Sequence, residues 1–105
     1  MPGKTSTNLS NILSSKGRIR ILELLNSTVE LNVSEIAKRV GLNYSTTNKH
    51  LEELESAGLL HQKRFGRIRI YEYSENSPHA LAIKKLIESW ALIDAKSTGK
   101  WKDEQ

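Results

Sequence analysis

Cysteine is absent from the sequence, which removes disulfides, thiolate metal sites and cysteine nucleophiles together. No apolar run approaches the ~20 residues needed to span a bilayer, so no membrane partner is expected. The opening MPGKTSTNLSNILSSKG lacks the continuous apolar stretch of a secretory signal, and the chain is expected to stay inside the cell. There is no glycine-rich phosphate loop, no histidine beside a positioned nucleophile and no carboxylate pair in a cleft pattern. An enzyme is therefore not expected. Prolines are limited to Pro2 and Pro78, and the sequence shows no internal repeat or low-complexity tract.

The 105 residues suit one domain (1–105) with a single modest core, and 37% hydrophobic with 27% charged residues describes an ordinary globular chain. The net charge of +4 leans toward a polyanionic partner, and its distribution says more than its sum. Lys63, Arg64, Arg67 and Arg69 lie between His61 and Tyr71 with no acidic residue among them, whereas Glu52, Glu53 and Glu55 crowd a stretch just upstream. A basic end beside an acidic shoulder suits a directional contact with phosphates.

The spacing of Leu9, Ile12 and Leu13 predicts a short amphipathic helix starting near Thr7 or Asn8, after a polar and frayed start. From Lys16, the positions Ile19, Ile21, Leu22, Leu24 and Leu25 define a second helix ending near Asn26-Ser27 and apolar on more than one side. Asn32-Val-Ser-Glu35 reads as a capping box before the stripe Ile36, Ala37, Val40, which Gly41 ends. Asn43 caps a further helix in which Thr47, Leu51 and Leu54 share one face, and Gly58 closes it. Helix, tight glycine-containing turn and helix within about 25 residues is the helix-turn-helix pattern. Two alternating runs, Leu59 to Arg64 and Ile68 to Tyr73, flank Phe65-Gly66-Arg67 and read as a hairpin. Ser77-Pro78 starts a long helix expected to end near Ser97-Thr-Gly99.

If Thr47, Leu51 and Leu54 face inward, then Ser45, Asn48, Lys49 and Glu52 face outward, with Tyr44 and Thr46 at the helix start. Asn suits an adenine edge and Lys a guanine edge, while hydroxyls and N-terminal amides suit phosphates. On an isolated helix such residues would be an ordinary solvated face. Following Gly41-Leu42-Asn43 and preceding a basic hairpin, they point to double-stranded DNA. Lys63, Arg64, Arg67 and Arg69 are expected at the hairpin tip, along a phosphate backbone or at a minor groove; positive charge there also discourages edge-to-edge pairing. Phe65 is expected to pack against the domain instead of acting as a wedge. Ile83, Leu86, Ile87, Trp90 and Ile93 recur at helical spacing, and their arc is too wide for so small a domain to cover. Residues 78–97, with Leu9 and Ile12 in 8–15, are therefore expected to form a homodimer interface.

The segment Val33-Ser-Glu-Ile-Ala-Lys-Arg-Val-Gly-Leu-Asn-Tyr-Ser-Thr-Thr-Asn-Lys-His-Leu-Glu-Glu-Leu-Glu-Ser-Ala-Gly-Leu-Leu60 resembles the winged helix-turn-helix repressors of the ArsR type, or a small archaeal regulator of that kind. The resemblance runs from about Leu13 to Tyr73. It implies a mainly α fold with a small β-hairpin wing, helices flanking it at both termini, and a dimeric, nucleoid-associated cytoplasmic regulator of transcription. It also implies that Tyr44, Ser45, Asn48 and Lys49 meet bases, with Thr46 on a phosphate. Metal-sensing members carry cysteine-valine-cysteine at the start of the first helix of the pair, where this chain has Asn32-Val-Ser34. Others use several histidines on the terminal helix, which here offers His79 alone. His50, His61 and His79 are accordingly read as structural or DNA-proximal. No metal or cofactor is expected, and a small-molecule effector is left open. A winged-helix protein-interaction module without base readout, or an RNA-binding winged helix, is the competing reading; the acidic shoulder is compatible with the first, and the basic hairpin argues against it.

Overall fold

The computed structural model describes residues 8–104, with side chains through residue 97. The frayed start expected for residues 1–8 lies, apart from Asn8, outside them. Helix α1 (Leu9–Leu13) begins where Asn8 Oδ1 accepts the Asn11 amide at 3.0 Å. Helix α2 (Lys16–Thr28) begins where Ser15 Oγ accepts the Arg18 amide at 3.2 Å. In each case a short polar side chain replaces the missing turn of the helix.

Helix α2 runs into Val29, whose φ of 73° is unfavourable for a β-branched residue. That turn delivers Glu30–Asn32 as a short strand, β1, immediately before helix α3 (Val33–Val40). Asn32 caps α3 as expected, its Oδ1 accepting the Glu35 amide at 2.8 Å. The reciprocal half of the capping box is absent, because the Glu35 carboxylate instead accepts from Arg39 at 2.8 Å. Gly41, at φ 75°, turns the chain into α4 (Tyr44–Ser56), whose cap Asn43 accepts the Thr46 amide at 2.7 Å.

Strands β2 (Leu60–Phe65) and β3 (Ile68–Tyr73) form the hairpin, joined through Gly66-Arg67. Positive φ at Gly66 and not at Arg67 is the II′ pattern, whose twist matches that of the strands. Strand β1 adds to the far side of β3, so the antiparallel sheet runs β1-β3-β2. The alternating register divides its side chains. Leu60, Gln62, Arg64, Arg69, Tyr71 and Tyr73 share the face toward the helices, while His61, Lys63, Phe65, Ile68, Ile70 and Glu72 share the other.

The core collects Ile21, Leu22 and Leu25 from α2, Ile36 from α3, Leu51 and Leu54 from α4, and Tyr71 from β3, all essentially sealed from solvent. Tyr73 closes it from the sheet, donating its hydroxyl to the Leu22 carbonyl at 2.7 Å. Burial pushes the Tyr73 phenol pKa well up, so it remains a donor throughout the physiological range.

Helix α5 (Pro78–Glu104) starts at the expected proline, with Ser77 Oγ accepting the Ala80 amide at 3.1 Å. It does not stop near Gly99, as expected, but continues to Glu104. An interior glycine costs a helix only about 1 kcal/mol relative to alanine, and no proline follows to break it. The first turns of α5 lay Ala80 and Ile83 into the core, and Ile87 packs at its edge. Leu86, Trp90, Leu92 and Ile93 are left exposed. No described helix is long and apolar enough to cross a membrane.

Candidate nucleic-acid interface

Thr47, Leu51 and Leu54 anchor α4 into the core, which turns Ser45, Lys49 and Glu52 out to solvent. Tyr44 stands at the helix start, 51% exposed, while Thr46 and Asn48 are half-buried. The absence of a side chain at Gly17 lets α2 approach closely here: a Cβ at that position would lie 2.7 Å from His50 Nε2 and 3.3 Å from Leu42 Cδ1. The turn and α4 are thus set directly against the start of α2.

The four basic residues of the hairpin do not act alike. Arg64 and Arg67 are exposed, and no described acidic side chain pairs with either. Lys63 instead crosses the outer face of the sheet to Glu30 at 2.8 Å and Glu72 at 3.6 Å. The hydrogen bond it donates to Glu30, with the charges of both glutamates, raises its pKa. Arg69 turns inward and is half-buried. Its Nη1 donates to Asn48 Oδ1 at 2.7 Å, its Nε to Gln62 Oε1 at 3.0 Å and its Nη2 to the Tyr71 hydroxyl at 2.8 Å. Burial opposes the Arg69 charge, but the bond and charge of Tyr71, and then those of Tyr44, outweigh it and raise the pKa.

The acidic shoulder is largely engaged by partners within the fold. Glu53 pairs with Arg18 of α2, and Glu55 lies 3.4 Å from both Gln62 and the Tyr71 hydroxyl. Glu52 alone is exposed, receiving the Asn48 amide at 3.3 Å. Phe65 corrects another expectation: it is 58% exposed at the tip, opposite the exposed Ile68, because its register places it on the face turned away from the helices. Among the candidate interface residues, Ile12 (4% exposed) and Ile83 (7%) belong to the core of the protomer itself. Leu9, Leu86, Trp90 and Ile93 remain uncovered, with Ile87 between the two groups.

A shallow cleft separates the starts of α3 and α4 from the wing, lined by Ser34, Tyr44, Arg67, Ile68 and Arg69 among others. Two hydroxyls and a free guanidinium around an open cleft suit an anionic oxygen. No group of three or more metal-ligating side chains occurs among the described residues.

His50 reports on the α2–α4 contact. Burial above all, then the charges of Arg18 and Lys49, hold its pKa below the ordinary 6.5. The unfolded ring protonates at higher pH than the folded one, so acid favours the unfolded chain. The stability this group permits is complete above about pH 6.5 and declines as pH falls through that value. Between about pH 8 and about pH 5 the melting temperature of the wild type should fall more than that of His50→Gln. Equal falls in the two proteins would remove His50 from the account.

The comparisons agree with this geometry. Residues 13–63 match the family model described as a helix-turn-helix domain. Among solved structures, HlyU from Vibrio cholerae N16961 is similar at 27% identity and a TM-score of 0.67, over 78% of this chain and 86% of that one. Rv0081 of M. tuberculosis is similar at 29% identity and a TM-score of 0.65, over 87% and 86%. Mb0332 from Mycobacterium bovis, titled a homodimeric winged helix-turn-helix DNA-binding domain and a possible ArsR-family transcriptional regulator, shares 28% identity at a TM-score of 0.64, over 78% and 73%. No curated protein matches the sequence. With a helix-turn-helix segment set in a three-stranded winged fold, the chain is similar to the ArsR-type winged helix-turn-helix transcriptional regulators.

Proposed function

We propose that this chain works as a homodimer that recognises specific sequences in double-stranded DNA, with α4 in a major groove and the wing on the flanking backbone or minor groove. The observation that carries the reading is the 2.7 Å bond from Arg69 to Asn48, which ties the basic strand to the outward side of α4. Arg64 lies opposite Arg69 in the hairpin register and so opens to the side on which α4 lies. A groove-sized helix with a cationic arm beside it matches the shape and charge of a duplex.

Within this reading Lys49, exposed on α4, reaches a guanine edge. Tyr44 and Ser45 lie at the leading end of the helix, and Thr46 and the cleft beside Arg67 receive phosphates. The homodimer forms through the uncovered apolar side of α5 with Leu9 of α1. A two-fold arrangement sets two copies of α4 about 34 Å apart, one turn of the duplex. Such a protein acts on nucleoid DNA in the cytoplasm.

Competition of labelled random duplex by unlabelled duplex or by single-stranded RNA tests the reading. Duplex should win, and a sequence selected from a random pool should win further. Lys49→Ala should weaken binding of the selected site by about 1–3 kcal/mol while leaving binding to random duplex nearly unchanged. Preference for RNA, or failure to retain any duplex at low ionic strength, would end the proposal.

A further inference from the structure

The Asn48 amide is not free to meet a base in any orientation. Its Oδ1 accepts from Arg69 Nη1 at 2.7 Å, whereas its Nδ2 donates to the exposed Glu52 carboxylate at a long 3.3 Å. A guanidinium carries only donors, so reversing the amide would set N–H against N–H. Arg69 in turn is held on two further sides, by Gln62 Oε1 and by the Tyr71 hydroxyl, and its guanidinium lies 5.6 Å from the centroid of the sealed Tyr71 ring. The carbonyl end of Asn48 therefore points at a fixed cation, and the amino end is the one with a replaceable partner.

Bidentate recognition of adenine uses both ends of an asparagine amide, the N–H to N7 and the carbonyl from the N6 amino group. With the carbonyl engaged and a guanidinium behind it, an incoming amino group meets a competing donor. Guanine instead presents two acceptors, N7 and O6, to the groove.

We propose that Arg69 is a specificity-determining residue: by holding Asn48 Oδ1 it makes Asn48 a donor, so that the position it faces is read as guanine in preference to adenine. This rests on the placement of α4 in a major groove, and it gives Arg69 a role distinct from the phosphate contact that its place in the basic run suggests. Asn48 is the reading residue and Arg69 positions it.

Selection of bound duplexes from a random pool, run on the wild type, Asn48→Ala, Arg69→Met and Arg69→Lys, tests the assignment. The wild type should show guanine at one position of each half-site, and Asn48→Ala should relax that position alone. Arg69→Met and Arg69→Lys should both retain duplex and both shift that position toward adenine by about tenfold, because neither can bridge Gln62, Tyr71 and Asn48 with a planar fork. Their salt dependence should match that of the wild type. Arg69→Lys is decisive, since a lysine would preserve a phosphate contact. Wild-type specificity in Arg69→Lys, with Arg69→Met weaker on every sequence and flatter in salt, would overturn the proposal in favour of a phosphate contact. Adenine, or no preference, at the Asn48 position would also overturn it. Failure of the wild type itself to retain duplex would instead sink the DNA reading beneath it.

Discussion

Trp90→Asp is expected to leave a folded monomer that has lost most of its affinity for a two-half-site duplex. Trp90 is 66% exposed on α5 and lies beyond the turns through which that helix packs on the body. The substitution therefore removes little from the protomer, and its melting transition should stay close to that of an isolated wild-type subunit. In a homodimer built on this helix, each subunit would instead place a carboxylate beside Leu86 and Ile93. An unpaired charge in such surroundings is too costly to keep. Separating the half-sites forfeits the gain from binding both on one molecule, about 10²- to 10⁴-fold. Light scattering reads the mass and titration reads the affinity. A variant that stays dimeric would move the interface off α5.

The second large effect is expected from Arg64→Ala combined with Arg67→Ala. These are the two exposed wing cations, and neither has a described acidic partner, so their charge is available to phosphates. Two such contacts per subunit are four per dimer. Each phosphate neutralised contributes about 0.9 to the slope of log affinity against log salt, so the slope should flatten by about 3 to 4. Loss should be similar on selected and random duplex, because phosphates carry no base identity. An unchanged slope would show that the wing stays off the backbone. Lys63→Ala makes the contrast. Its ammonium is already committed to Glu30 and Glu72, so the slope should change far less.

Sequence and structure part ways on the hairpin for a physical reason. Lys63, Arg64, Arg67 and Arg69 form one basic run when counted along the chain. Alternation sends Lys63 to the outer face, where a strand three residues long supplies Glu30. Strand β1 was illegible because Glu30-Leu-Asn32 is too short to show a period of two, and its pairing with β3 spans some forty residues of chain. The same blindness hides the use of Glu53 and Glu55. Three glutamates in four residues read as an exposed shoulder until Arg18 and Gln62 arrive from distant elements. Phe65 departs from the expected packing against the domain because its parity on β2 leaves it outside.

By itself, the sequence determined the local structure. The caps at Asn8, Ser15, Asn32, Asn43 and Ser77 start their helices, Gly41 and Gly66 turn the chain, and the helical stripe Thr47, Leu51, Leu54 selects the outward side of α4. These depend on neighbours within one or two turns, where backbone geometry and hydrogen-bond chemistry decide. Only the tertiary structure decided which charges are free. Whether an arginine meets solvent or an acceptor depends on residues brought from elsewhere, and strand register makes that choice for Arg64 and Arg69 although they stand opposite each other. The same holds for α5, where packing takes up Ile83 and leaves Trp90 uncovered, because the body of the protomer ends before the helix does.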